Sequence, residues 1–299
     1  MSDTLAPVGI ALFCWWFGTG LIFLLERAVR GRRRAAPAVI VAATALSMWG
    51  MAQSTTVATV AGAYLGFACS IGLWGALELS FLTGLVTGPR TAVACPRHCS
   101  GWRHFGHAVM ALLYHELALA ISALAVAAIC WNQPNQTAAW TYLLLWVMRE
   151  SAKLNLFLGV RNTAVELLPQ RLAHLAAYFG KRRANALLPV SIGAAATIDA
   201  LLIQQSGSGS GQDRATDLLL ATLLSMAILE HIVLILPVRA DLLWTWATRR
   251  NAHGGPVAGR GLADKRRDDT EPGALRSKTL ATRSEEATHQ PPLPPGAPA

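Results

Sequence analysis

Apolar residues run along this chain in blocks long enough to cross a bilayer, and short polar clusters separate them. At about 20 helical residues per crossing, seven blocks qualify or nearly qualify: 7–26, 36–53, 58–84, 105–130, 138–159, 186–203 and 216–236. The second and sixth are short, and 58–84 is long enough to tilt or to continue into an interfacial turn; six and eight spans stay open as alternative counts. Uninterrupted apolar runs do not suit the alternating strands of a membrane barrel. The predicted fold class is therefore all-α, a polytopic transmembrane helical bundle of about seven spans. The first block lacks a basic stretch before it and a clear small-residue cleavage site, so it reads as a retained span.

The connections carry their own signals. WNQPNQT (131–137) is polar with a central proline, and QQSGSGSGQDR (204–214) reads as a flexible glycine-serine link. Between 160 and 185, Val165, Leu167, Leu168, Leu172, Leu175 and Tyr178 recur at roughly helical spacing among Glu166, Gln170, Arg171 and His174. That pattern predicts an amphipathic helix lying in the interface plane and started by Pro169. Beyond about residue 250 no apolar periodicity remains, so 1–250 is predicted to be the transmembrane domain and 251–299 a disordered cytoplasmic tail.

Composition agrees with a membrane protein: 53% of the 299 residues are hydrophobic and 14% charged, with a mean hydropathy of +0.37. The net charge of +9 does not indicate nucleic acid, because the basic residues lack aromatic interleaving and any zinc-finger or helix-turn-helix pattern. They instead fall on alternate connections. Arg27, Arg30, Arg32, Arg33 and Arg34 follow the first block; Arg90, Arg97 and Arg103 follow the third; Arg161, Arg171, Lys181, Arg182 and Arg183 follow the fifth. The other connections are nearly free of basic residues. By the positive-inside rule the N-terminus is periplasmic and the C-terminus cytoplasmic, which an odd number of spans satisfies.

Cys14, Cys69 and Cys130 sit in apolar runs, so no disulfide framework is indicated. Cys95, His98, Cys99, His104 and His107 form a Cys/His-rich patch without the paired spacing of a zinc ribbon, beside Trp102 and Phe105, which suit an interfacial anchor. Asp199 falls near the outer end of its block, within reach of water. Gly66, Ala68, Gly72, Gly75 and Ala76 supply small residues for close helix contact.

The chemistry of interest lies inside the spans. Glu78, His115, Glu116, Arg149, Glu150, Lys153, Asn155, Glu230 and His231 are polar positions in otherwise apolar runs. A charged side chain at mid-bilayer costs about 2.5–3.5 kcal/mol on insertion scales, so its presence implies pairing, a ligand or a polar cavity. A rise of about 1.5 Å per residue places these groups at similar depth on four helices. His115, Glu116, Arg149, Lys153, Glu230 and His231 are expected to form one connected interhelical site. Glu150 and Lys153, three apart, can meet on one helix face.

Several readings of that constellation stay open. One is a structural network of ion pairs and hydrogen bonds that sets helix register. A metal site would want the Glu-x-x-His spacing of carboxylate bundles, which LELS, YHEL, RESAK and LEHI lack. His115 or His231 could ligate the metal of a tetrapyrrole. Transport or proton relay is the remaining class. No nucleotide loop, hydrolase elbow or dinucleotide fingerprint is present.

ALLYHELAL (111–119), LLWVMRESAKLNLFLGVRN (144–162) with its sequel ELLPQRL, and ATLLSMAILEHIVLILP (221–237) resemble the photosynthetic complex assembly proteins of purple bacteria called PuhE, a family encoded with the reaction-centre H subunit. The resemblance covers roughly residues 5–248, and SAKLNLFLGVRN is its most specific part. It departs in the long charged tail and at Glu150. The resemblance implies a multi-pass protein of the bacterial inner (intracytoplasmic) membrane that supports assembly or stability of the reaction centre and antenna. Its implied partners are reaction-centre or antenna subunits, or their assembly factors, together with membrane lipid. The alternative is a tetrapyrrole-binding membrane protein or a membrane-bound enzyme of bacteriochlorophyll metabolism.

Overall fold

A computed structural model describes residues 2–32, 34–90, 101–163, 165, 168–209, 211–237 and 243–248. The chain divides into two units, Met1–Arg250 and Asn251–Ala299; the tail expected to be disordered lies outside the described residues.

The first unit is built from helices α1 (Ser2–Val29), α2 (Ala35–Thr55), α3 (Val60–Leu82), α4 (Gly101–Cys130), α5 (Thr137–Leu158), α6 (Leu187–Ser208), α7 (Gly211–Val233) and the short α8 (Thr245–Thr248). Six of them, α1 to α4, α6 and α7, are long and apolar enough to cross a membrane, which makes the protein a multi-pass all-α bundle. Helix α5 has the length of a crossing, 22 residues, but carries Arg149, Glu150 and Lys153 within its second half. Its polar load separates it from the other six.

Helix α3 lies at the centre and packs against α1, α2, α4, α5 and α7. Small residues ease that position: a Cβ on Gly72 would stand 2.8 Å from Ser47 Oγ of α2, so a larger residue would have to displace that side chain. One apolar core joins Met51, Leu73, Leu77, Leu119, Val126 and Tyr142. Another joins Ala11, Ala63, Phe67, Ala215, Leu219 and Leu223. Since lipid is as apolar as these side chains, close packing and interhelical hydrogen bonds, rather than burial from water, hold such a bundle together.

The 131–136 connection is a tight turn whose Asn132 adopts φ 53°, a conformation asparagine tolerates. Asn135 is buried there; its side chain donates to Ser54 O at 2.9 Å and accepts from Thr137 N at 3.1 Å. The turn thereby satisfies orphan groups at the end of α2 and the start of α5.

Three expectations are corrected. The glycine-serine link is mostly helical: α6 continues to Ser208 and α7 begins at Gly211. Ser206 and Ser208 hydroxyls bond back to the Ile203 and Gln205 carbonyls, which lets serine remain within a helix end. Asp199 consequently sits mid-helix rather than near an outer end, where it accepts from Ser225 Oγ of α7 at 2.8 Å. The amphipathic interfacial α-helix is instead a 3₁₀ helix, Gln170–Tyr178, after Pro169. Its apolar residues Leu172, Leu175 and Tyr178 are three apart, the repeat that eclipses side chains in a 3₁₀ helix, and they pack on Phe81 and Ala111 of the bundle. Glu166 and Leu167 lie outside the described residues.

A segment without a predicted element also joins the bundle. Leu243–Thr248 returns to α1, where Trp244 Nε1 donates to Trp16 O and Trp16 Nε1 donates to Leu243 O, both at 3.2 Å. Trp15 and Trp244 meet edge-on with centroids 5.6 Å apart. Indole rings pack apolar surface and still need a partner for their N–H; the reciprocal bonds supply it.

Candidate functional site

Helix α5 is the hub of the polar residues. Its sequence RESAKLN (149–155) places Arg149, Glu150, Ser151, Lys153 and Asn155 within two turns, spread over more than one face. Each face meets a different neighbour.

Toward α3, Arg149 approaches Glu78 side-on, with Nε 3.2 Å from Oε1 and Nη2 donating to Oε2 at 3.2 Å. The Glu78 side chain is 10% exposed and that of Arg149 is 45% exposed. Toward α4, Lys153 Nζ donates to Glu116 Oε1 at 2.6 Å and to Glu150 Oε1, three residues back, at 2.8 Å. One ammonium thus serves two carboxylates.

Toward α7, Ser151 Oγ lies 3.0 Å from His231 Nε2, while His231 Nδ1 lies 2.8 Å from the Ala227 carbonyl. A carbonyl can only accept, so Nδ1 carries the proton and Nε2 accepts from Ser151 when the imidazole is neutral. Toward α6, the buried Asn155 reaches Ser191 Oγ at 3.4 Å and bonds to Ser151 O at 2.9 Å. Glu230 of α7 accepts the Trp15 indole N–H of α1 at 2.8 Å.

His115 stands apart. It is 1% exposed, and its ring lies 4.6 Å from that of Phe81. Neither ring nitrogen has a hydrogen-bond partner among the described residues. Its main-chain N–H donates to Thr87 O at 2.9 Å, because the loop after α3 folds against the middle of α4. Gly88 permits this: a Cβ there would lie 2.5 Å from Ala111 C and 2.6 Å from Ala111 O.

The polar groups gather toward one end of the bundle. Glu78 is about one turn from the end of α3, Glu230 less than one turn from the end of α7, and Lys153 between one and two turns from the end of α5. Sequence reasoning missed Trp15, Ser151 and Ser191 as partners, since tryptophan and serine are ordinary in a span. It also missed Asn185. That side chain donates to Asn155 O at 3.2 Å and Gly159 O at 3.0 Å and accepts from Leu187 N and Leu188 N, tying the end of α5 to the start of α6.

Of the Cys/His patch, Cys95, His98 and Cys99 lie outside the described residues. His104 stacks 5.4 Å from Phe157, and Phe105 meets the same ring edge-on; both are on α4 rather than in a loop. Among the described residues, no group of three or more His, Cys, Asp or Glu side chains is placed to hold a metal ion.

Fold and site together define a multi-pass α-helical membrane bundle whose helices are cross-linked by charge pairs and hydrogen bonds through α5. The chain belongs to the family described as protein of unknown function DUF3623, which it matches over residues 1–254. It is 36% identical over 249 residues to an uncharacterized 30.4 kDa protein in the puhA 5′ region of Rhodobacter capsulatus, covering 79% of this chain and 87% of that protein. No solved structure matches the chain.

Proposed function

We propose that this protein is a non-enzymatic assembly or stabilising factor for the bacterial photosynthetic complexes, reaction centre and antenna, in the inner (intracytoplasmic) membrane. The observation that carries this reading is the 36% identity, over most of both chains, to a protein of the puhA 5′ region. The structure supports it with a bundle whose intramembrane charges are spent on holding helices together, as a scaffold requires. Partners are reaction-centre or antenna subunits, or their assembly factors, met through the lipid-facing helix surfaces. A deletion strain grown phototrophically is expected to lose assembled reaction-centre and antenna complexes; unchanged levels would refute the reading.

In this reading α5 is the seventh span, with the N-terminus periplasmic and the C-terminus cytoplasmic. The arginine-rich end of α1, the connection after α3 and the 3₁₀ region then share the cytoplasmic side. A periplasm-active reporter at residue 134 and a cytoplasm-active one at residue 250 should both be active, and silence from either refutes the topology.

A tetrapyrrole-binding role, or an enzyme of bacteriochlorophyll metabolism, is the second reading, and His115 is the residue at which it is tested. The His115 nitrogens are unpartnered among the described residues, whereas both of His231 are engaged. Purified protein would then absorb in the visible region, and His115→Ala would abolish the band while His231→Ala would keep it. A colourless preparation from a pigment-making cell counts against it, and a pathway intermediate building up in the deletion strain favours the enzyme.

A further inference from the structure

Two segments distant in sequence come together beside His115, at the end of the bundle where α1 and α3 stop. The first is the loop 83–88. Thr83 caps α3, Gly84 turns the chain with φ 74°, a conformation that favours glycine at a helix end, and Thr87 O accepts the His115 N–H at 2.9 Å. The second is the 3₁₀ helix, Gln170–Tyr178, whose Leu172, Leu175 and Tyr178 pack on Phe81 and Ala111. Both of those residues adjoin His115. The Phe81 ring lies 4.6 Å from the imidazole, and Ala111 precedes His115 by four residues on α4, about 6 Å along the axis.

One side chain ties both segments to the bundle. Arg171 of the 3₁₀ helix donates through Nη1 to Thr83 O at 2.6 Å and through Nη2 to Glu26 Oε1 of α1 at 2.8 Å. Glu26 is 5% exposed, and its other oxygen accepts from Arg30 Nη2 at 2.8 Å. Charge-assisted bonds are roughly twice as strong as neutral ones, and Arg171 makes two at once. Packing between the two segments is looser. A cleft of about 240 Å³ lies between them, lined by Thr83, Gly84 and Thr87 on one side and by Arg171, Leu172 and His174 on the other. Segments held by a few polar contacts beside open volume come apart more readily than the packed helices beneath them.

We infer that the loop 83–88 and the 3₁₀ helix form a lid over His115, held shut by Arg171. Beneath it the imidazole is 1% exposed, and neither ring nitrogen has a hydrogen-bond partner among the described residues. The closed lid thus leaves two polar atoms unsatisfied, which favours any open state in which they are met. When Arg171 lets go, Leu172 and Leu175 lift from Phe81 and Ala111, and the ring lies about one helical turn below the opening. Gly84 absorbs the backbone rotation on the loop side. The lid rests on neither functional reading, because it governs access to the imidazole whatever enters.

The test uses full-length protein in neutral detergent and diethyl pyrocarbonate, which transfers an ethoxycarbonyl group to an imidazole nitrogen and releases ethanol and carbon dioxide. Peptide mass spectrometry reads the rate at each histidine. Wild-type His115 should react slowly, and Arg171→Gln should accelerate it by about tenfold or more, the effect of losing one charge-assisted hydrogen bond. His231, with both nitrogens engaged between α5 and α7, should keep its rate. Should the glutamine variant not accumulate, Arg171→Lys keeps the charge but lacks the planar fork that serves Thr83 O and Glu26 together, and should accelerate His115 by about threefold. An unchanged His115 rate in the variant overturns the inference, as does equal acceleration of His231, which would mark general loosening. Wild-type His115 reacting as fast as free imidazole would show that no lid is shut over it.

Discussion

Arg149 of α5 and Glu78 of α3, 71 residues apart in the chain, meet side-on with Nε–Oε1 and Nη2–Oε2 both at 3.2 Å. The pair is asymmetric, a nearly buried carboxylate against a half-exposed guanidinium. Removing either member leaves the other charge without its partner between α3 and α5. Arg149→Gln is expected to destabilise by about 3 kcal/mol, the lower end of the range for breaking a buried pair. Glu78→Gln should cost a comparable amount, since it leaves Arg149 unpaired in turn. The double replacement should recover much of the loss, as read by thermal unfolding in detergent; additive losses would show that the two side chains act independently.

Lys153 serves Glu116 and Glu150 together, so its removal leaves two carboxylates near one another. Lys153→Met should be the most damaging replacement of this triad, followed by Glu116→Gln and then Glu150→Gln, whose side chain is the most exposed of the three at 37%. Membrane-fraction accumulation of the three variants gives the order. A Glu150→Gln variant as unstable as Lys153→Met would contradict the assigned contacts.

Asn185 caps α6 and holds the end of α5. Asn185→Ala should cost about 1–2 kcal/mol, in the upper range for loss of a helix cap. Asn185→Asp should retain the accepted bonds from Leu187 N and Leu188 N but lose the donors to Asn155 O and Gly159 O. Hydrogen exchange at residues 187 and 188 should therefore accelerate in the alanine variant and much less in the aspartate one. Equal acceleration would assign the stabilisation to the α5 carbonyls instead.

Gly88 permits the loop after α3 to lie on the α4 backbone. Gly88→Ala is expected to destabilise by about 1–3 kcal/mol, the usual range for overpacking, and to accelerate exchange of the His115 amide as Thr87 O withdraws. An unchanged His115 exchange rate would show that the loop adapts without moving.

The pattern of apolar and polar residues by itself determined the all-α class and the positions of the long helices, because a bilayer demands a stretch of set length and rewards each residue in it separately. The block at 36–53 became α2, Ala35–Thr55, and 138–159 became α5, Thr137–Leu158. The Glu150–Lys153 contact was also legible, since three residues along a helix fixes its geometry. Partner choice elsewhere was not. That Arg149 takes Glu78, that Glu230 takes Trp15, and that Glu26 takes Arg171 across 145 residues depends on how helices rotate and pack, which no local spacing encodes. Tertiary packing also turned an expected interfacial helix into a 3₁₀ segment facing Phe81, drew Leu243–Thr248 back onto α1, and left His115 without a hydrogen-bond partner among the described residues while engaging His231. Both histidines sit in apolar helical runs of similar composition; what separates them is that His231 is packed where Ser151 of another helix can reach its ring.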